Sequence, residues 1–198
     1  MVEEAKTRKY FSIDVETNGP HPVVSSMLSV GACVVGDRTK TFYAEFKPIH
    51  KKYELEAFLI GARGLNSLAN YDFSKFNPEE VLDLLEERGE DPAEVMEKFE
   101  RWIKLNSGEL SPIFCSTPVK FDGSFVSHYF FTFLGHDPFG YTDENMQSMY
   151  RGKIGNLYAK FKDLKLDQTG QHNALVDAIR QEGAFYTTLV FMGQQNKV

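Results

Sequence analysis

The stretch Lys9-Tyr10-Phe11-Ser12-Ile13-Asp14-Val15-Glu16-Thr17, closed by Asn18-Gly19-Pro20, decides the fold. Phe11, Ile13 and Val15 alternate with Ser12, Asp14 and Glu16, the two-residue period of a strand with two unlike faces. Asn18-Gly19-Pro20 stops the strand, and a polar loop follows to Ser26. Residues 27–35 form a second, mostly apolar strand, Gly36-Asp37 a hairpin turn, and residues 41–46 a third strand before Pro48. Three strands joined by short turns predict an antiparallel meander.

Beyond the meander the pattern turns helical. Residues 50–76 mix aromatics, glycines and charges without a period. Asn77-Pro78-Glu79-Glu80 then reads as a helix start: a capping side chain, proline at the first helical position and an acid at the third. Asp91-Pro92-Ala93-Glu94 repeats it, and its helix carries Val95, Met96, Phe99, Trp102 and Ile103 as a core stripe. Residues 113–116 form a short strand. Residues 122–134 form an aromatic-rich helix closed by Gly135, with Phe125 and Tyr129 read as core rather than as stacking platforms for bases. A weaker helix covers residues 144–151. A long terminal helix covers residues 173–194, with Leu175, Ala178, Ile179, Phe185 and Leu189 on one side. This order predicts one layered α/β domain over residues 1–198, its sheet antiparallel at first and parallel later, flanked by helices.

The formal net charge is −6, which argues against a protein that wraps long nucleic acid by its phosphates. It does not argue against an enzyme that grips a strand end through metals, since two bound divalent cations would offset most of that charge. Cys33 and Cys115 lie in apolar runs and read as buried free thiols of a reducing compartment. The charged stretch before Lys9 lacks a signal-peptide core, and no run approaches the ~20 apolar residues of a membrane span. A soluble, cytoplasmic protein without a membrane partner is expected.

The chemistry sits at both ends of the chain. Asp14 and Glu16, two apart on a strand, share a face and repel each other; a cation would offset that, and so would exposure at a strand end. Asp122, opening the aromatic helix, reads alone as an acid at a helix N-terminus. Asp177 is flanked by Leu175, Val176, Ala178 and Ile179, which leaves a metal, Arg180 or solvent as its partner. His172 precedes it by five residues, about 140° around a helix, which places His172 at or before the helix start. Taken together, four carboxylates can hold two hard cations through oxygen. Such a pair clamps the attacking and leaving oxygens of a phosphoryl displacement, and a histidine can take the proton of the attacking water. The scattered His21, His50, His128 and His136 have no ligand spacing and read as surface or satisfied core residues.

These motifs resemble the DEDDh, or DnaQ-like, 3′–5′ exonucleases of ribonuclease H-like fold. The first is Phe11-Ser12-Ile13-Asp14-Val15-Glu16-Thr17-Asn18-Gly19, the second Phe121-Asp122-Gly123-Ser124-Phe125, and the third His172-Asn173-Ala174-Leu175-Val176-Asp177. The resemblance spans about residues 9–190. It implies that Asp14, Glu16, Asp122 and Asp177 bind two Mg²⁺ or Mn²⁺ ions and that His172 is the general base. It also implies that the backbone around Val15 to Thr17 lies near the terminal nucleotide of a single strand, released as a 5′-monophosphate. Residues 41–48 and Pro138-Phe139-Gly140 resemble a group of small bacterial and phage exoribonucleases, which favours RNA over DNA. Relatives often dimerise, so a homodimer is a further expectation. The chain departs from the family at Thr117-Pro118, where His-Asn is common; the lost amide removes a donor near the site. An inactive module of the same fold, binding nucleic acid or a partner, is the alternative.

Overall fold

In the computed structural model, which describes residues 7–160 and 172–195 (backbone alone for 189–195), the alternating stretch is β1, Arg8–Thr17. It pairs antiparallel with β2 (Met27–Val34), which pairs antiparallel with β3 (Asp37–Glu45). On its other side β1 pairs in parallel with β4 (Ser111–Ser116), and β4 with β5 (Asp143–Asn145). The sheet order β3-β2-β1-β4-β5 is the expected mixed sheet, antiparallel through its first three strands and parallel thereafter.

The alternation in β1 becomes two different layers. Phe11, Ile13 and Val15 join Val30, Ala32, Val34 and Phe114 on one face. Against them pack α3 (Pro92–Ser107), through Val95, Met96, Phe99 and Ile103, and α4 (Val119–Leu134), through Phe125, Val126, Tyr129 and Phe130. Phe125 and Tyr129 are fully buried, and the Tyr129 hydroxyl accepts the Met27 N–H at 2.8 Å, so both belong to the core. The opposite face carries Ser12, Asp14 and Glu16, paired across β2 with Cys33, Gly31 and Ser29. Here lie α5 (Met146–Ile154) and α6 (Ala174–Gln195), with Met146, Tyr150, Ala184 and Phe185 around Ile113 and Cys115 of β4. Both cysteines are buried and unpaired. A smaller cluster of Leu28 with residues of α1 (Leu55–Arg63) and α2 (Pro78–Arg88) forms beside the end of β1.

Several element boundaries differ from the sequence expectation. Helix α4 starts at Val119, so Asp122 lies within its first turn and does not open it. Residues 144–145, expected as the start of a helix, belong to β5; Asn145 then caps α5 by accepting the Ser148 N–H, which delays the helix. β3 begins directly after Gly36, whose positive φ of 84° makes the turn tight. The side chain of Leu189 lies outside the described residues. No described helix is long and apolar enough to cross a membrane.

Candidate active site

The site forms where α6 meets the polar face of β1. Ser12 Oγ donates to the Ala178 carbonyl at 2.7 Å, and Cys33 Sγ, its cross-strand partner, lies 3.6 Å from the same oxygen. One turn toward the helix start, Gly31 sits under Ala174 and Leu175, where an added methyl would overlap their backbone. Gly31 pairs with Asp14, so the helix start comes down beside that carboxylate. Glycine is required here by the close approach of two backbones, not by a turn. The docking brings oxygens of Asp14, Glu16 and Asp177 within 4.8 Å of one another.

Asp122 arrives from the other layer. Pairing between β1 and β4 ends at Ser12 and Cys115, which leaves the next N–H on that edge of β1 without a strand partner. Asp122, in the first turn of α4, fills the gap: its Oδ1 accepts the Val15 N–H at 3.3 Å. The residue is 3% exposed, and its Oδ2 is buried without a hydrogen bond, as is the neighbouring Ser116 hydroxyl. Asp122 stands outside the close trio, yet near enough for its charge to act on Asp14 and Glu16.

The electrostatics are those of acids held close together. Burial, and then the charges of Asp122, Glu16 and Asp177, push the Asp14 carboxyl well above the carboxylate range, against the pull of the Gln181 amide. Burial, with Asp177 and Asp122, pushes Glu16 up to about 8. Burial pushes Asp122 up to about 7, opposed by the Ser116 hydroxyl, which lies nearby without forming a well-directed hydrogen bond, and by the Val15 N–H. Four acids crowd one partly buried place, and one of them keeps a buried oxygen without a hydrogen bond. Asp177 is partly neutralised: its Oδ1 pairs with Arg180 and its Oδ2 accepts the His172 N–H at 2.8 Å. Each carboxylate oxygen has a second lone pair, so these bonds leave room for a cation. An all-oxygen set of this kind fits a hard divalent ion.

His172 stands before α6, the placement its spacing from Asp177 favoured, and is exposed. Its φ of 67° is unusual for a residue with a side chain. Gly64 lies against its carbonyl, again too close for a methyl, and Asn173 Nδ2 donates to the Gly64 carbonyl at 2.8 Å. The end of α1 thereby holds the histidine's backbone in place. Val15 directs its side chain into the core, and Thr17 Oγ1 donates to the Gly19 carbonyl, so these two offer their surroundings mainly backbone.

One residue at the site escaped the sequence reading. Gln181 donates from Nε2 to Asp14 Oδ1 at 2.6 Å and accepts the Thr117 N–H at 3.0 Å. Its signal was present, four residues after Asp177 on the same helical face. Nothing in the sequence told that Thr117 and Asp14 would both lie opposite it. An amide donor therefore does reach the site, from α6 rather than from the positions of Thr117 and Pro118.

No protein-family model matches the chain. It is similar to the 3′–5′ DNA exonuclease Cap18 of Escherichia coli, 33% identical over 183 residues, which cover 89% of each chain. Among solved structures it is similar to exonuclease I of Escherichia coli in complex with a dT13 oligonucleotide, with a TM-score of 0.62 and 16% identity. That match covers 96% of this chain and 42% of the other. The zinc-bound complex of exonuclease I with single-stranded DNA also has a TM-score of 0.62, at 15% identity. The chain thus spans about two fifths of exonuclease I, and at this identity the likeness speaks for the fold. Motifs, fold and the extended match to Cap18 converge: the chain belongs to the DnaQ-like superfamily of 3′–5′ exonucleases.

Proposed function

We propose that this enzyme shortens single-stranded DNA from its 3′ end and releases nucleoside 5′-monophosphates. The observation that carries the proposal is the gathering of Asp14, Glu16 and Asp177 within 4.8 Å, beside the buried unpartnered oxygen of Asp122. In this reading the four carboxylates hold two Mg²⁺ or Mn²⁺ ions. Bound there, the cations would supply Lewis-acid stabilisation of charge on the attacking and leaving oxygens. His172 takes the proton of the attacking water, and its exposure leaves the residue open to solvent. Val15 and Thr17 shape the ground beneath the terminal nucleotide through their backbone.

The choice of DNA rests on Cap18, whose name specifies DNA and whose match runs over nearly the whole chain. That outweighs the leaning to RNA from two short stretches. The choice of single strands draws on exonuclease I, which shares the fold and binds such oligonucleotides.

The test uses matched 5′-labelled DNA and RNA oligomers with Mg²⁺ or Mn²⁺. The DNA should shorten stepwise from its 3′ end, the RNA more slowly, and a circular single strand should stay intact. Equal or faster loss of RNA would remove the DNA preference, and shortening by Asp14→Asn at the wild-type rate would remove the metal reading. His172→Ala should lose about 10²–10⁴-fold in rate while keeping its Mn²⁺ affinity. Loss of both together would make His172 a ligand and not a base.

A further inference from the structure

Gln181 ties together three segments of the site. It stands on α6 one turn beyond Asp177, and it bonds Asp14 of β1 and Thr117 between β4 and α4. The two bonds settle the orientation of the amide. Only its oxygen can accept the Thr117 N–H, and only its nitrogen can donate to a carboxylate. Thr117 lies five residues before Asp122 on the linker into α4, so the same side chain links Asp14, Asp177 and the approach to Asp122.

The chemical type suits the place. A lysine or arginine here would set a full positive charge against Asp14 and compete with a cation. A glutamate would add another like charge to acids already raised by burial and by one another. A neutral amide holds one oxygen of Asp14 without altering the charge of the site. On the reading of Asp14, Glu16, Asp122 and Asp177 as cation ligands, we infer that Gln181 is a positioning residue. It sets the rotation of the Asp14 carboxylate relative to Asp177 and anchors the linker ahead of Asp122, so that the ligands keep the geometry a divalent cation needs. Partners of this kind, once removed, typically cost 10–100-fold in metal affinity.

The experiment compares the wild-type chain with Gln181→Met, Gln181→Asn and Asp14→Asn. Mn²⁺ binding is followed by the electron paramagnetic resonance of the free ion, and folding by circular dichroism in chelator. Turnover is measured on a single-stranded DNA oligomer. Gln181→Met, close in size but unable to make either bond, should bind Mn²⁺ about tenfold or more weakly. Its kcat should fall at fixed Mn²⁺ and recover partly as Mn²⁺ is raised, with KM for the oligomer within about twofold of wild type. Gln181→Asn keeps the amide but is too short to span both partners, and it carries the same expectation should the methionine variant not fold. A folded variant with lower thermal stability and wild-type Mn²⁺ affinity overturns the inference and makes Gln181 structural, as does failure of both variants to fold. If Asp14→Asn also keeps wild-type Mn²⁺ affinity, the ligand reading fails first and this inference falls with it. If Asp14→Asn loses Mn²⁺ and both Gln181 variants retain it, only the role of Gln181 fails.

Discussion

The two faces of β1 are built on opposite terms. Phe11, Ile13 and Val15 are buried among aliphatic and aromatic side chains of α3 and α4, where each contact stabilises the fold. Asp14 and Glu16, one residue out of step, face α6 and are crowded with other acids, and burial pushes their own carboxyls up. One face keeps the sheet together; the other holds charge at a cost in stability. Adjacent positions of a single strand thus divide folding from chemistry, and substitutions on the two faces should separate those properties.

The largest effect is expected on the charged face. Asp14→Asn keeps the shape and removes the charge, and should lower the rate roughly a thousandfold, since charge stabilisation by bound metal is worth several kcal/mol. In chelator the same variant should be at least as stable as wild type, because a repelled, dehydrated charge is gone. A fall of several degrees in the melting temperature of the chelated variant would break the contrast. Phe11→Ala should do the reverse. Removing a fully buried phenyl ring costs about 3–5 kcal/mol, roughly 10 °C in melting temperature for a chain of this size, while activity per folded molecule survives. Loss of specific activity in the folded fraction would show that the faces are not separable.

A smaller effect tests the joint between sheet and helix. Gly31→Ala places a methyl against the backbone of Ala174 and Leu175, and should cost about 1–3 kcal/mol. The displaced helix carries Asp177 and Gln181, so Mn²⁺ affinity should fall along with stability. Unchanged affinity would mean that the strand moves and the helix does not.

The gentlest test is pH. The carboxyls of Glu16 and Asp122 are raised to about 8 and about 7 in the folded chain, above the unfolded range near 4. A group raised on folding contributes stability that is complete below its unfolded pKa and is lost as pH rises through its folded one. The melting temperature in chelator should therefore fall between about pH 5 and pH 8. Mn²⁺ should raise it more at pH 8 than at pH 5.5, and Glu16→Gln should flatten the slope. A chelated melting temperature that is flat or rising over this range would contradict the crowding of acids described above.

The sequence by itself determined the strand and both its faces, because a period of two is a local property that packing only confirms. It determined the helix starts at Asn77 and Asp91, where a capping side chain and a proline act within three residues. It also favoured His172 at or before the start of α6, because residues five apart lie about 140° apart around a helix and do not stack on one face. Three matters were decided only in three dimensions. Asp122 reaches the site because β4 ends its pairing with β1 at Ser12 and frees the Val15 N–H, a vacancy that depends on where two strands far apart in the chain part company. Asp177 joins Asp14 because glycine at position 31 lets α6 approach the sheet, and nothing local to position 31 announces that the space is needed. Gln181 became visible only when Asp14 and Thr117, 103 residues apart, met on either side of its amide. Local periodicity reports which way a side chain faces. What it faces is set by packing between distant segments, and that packing is where the chemistry of this site is assembled.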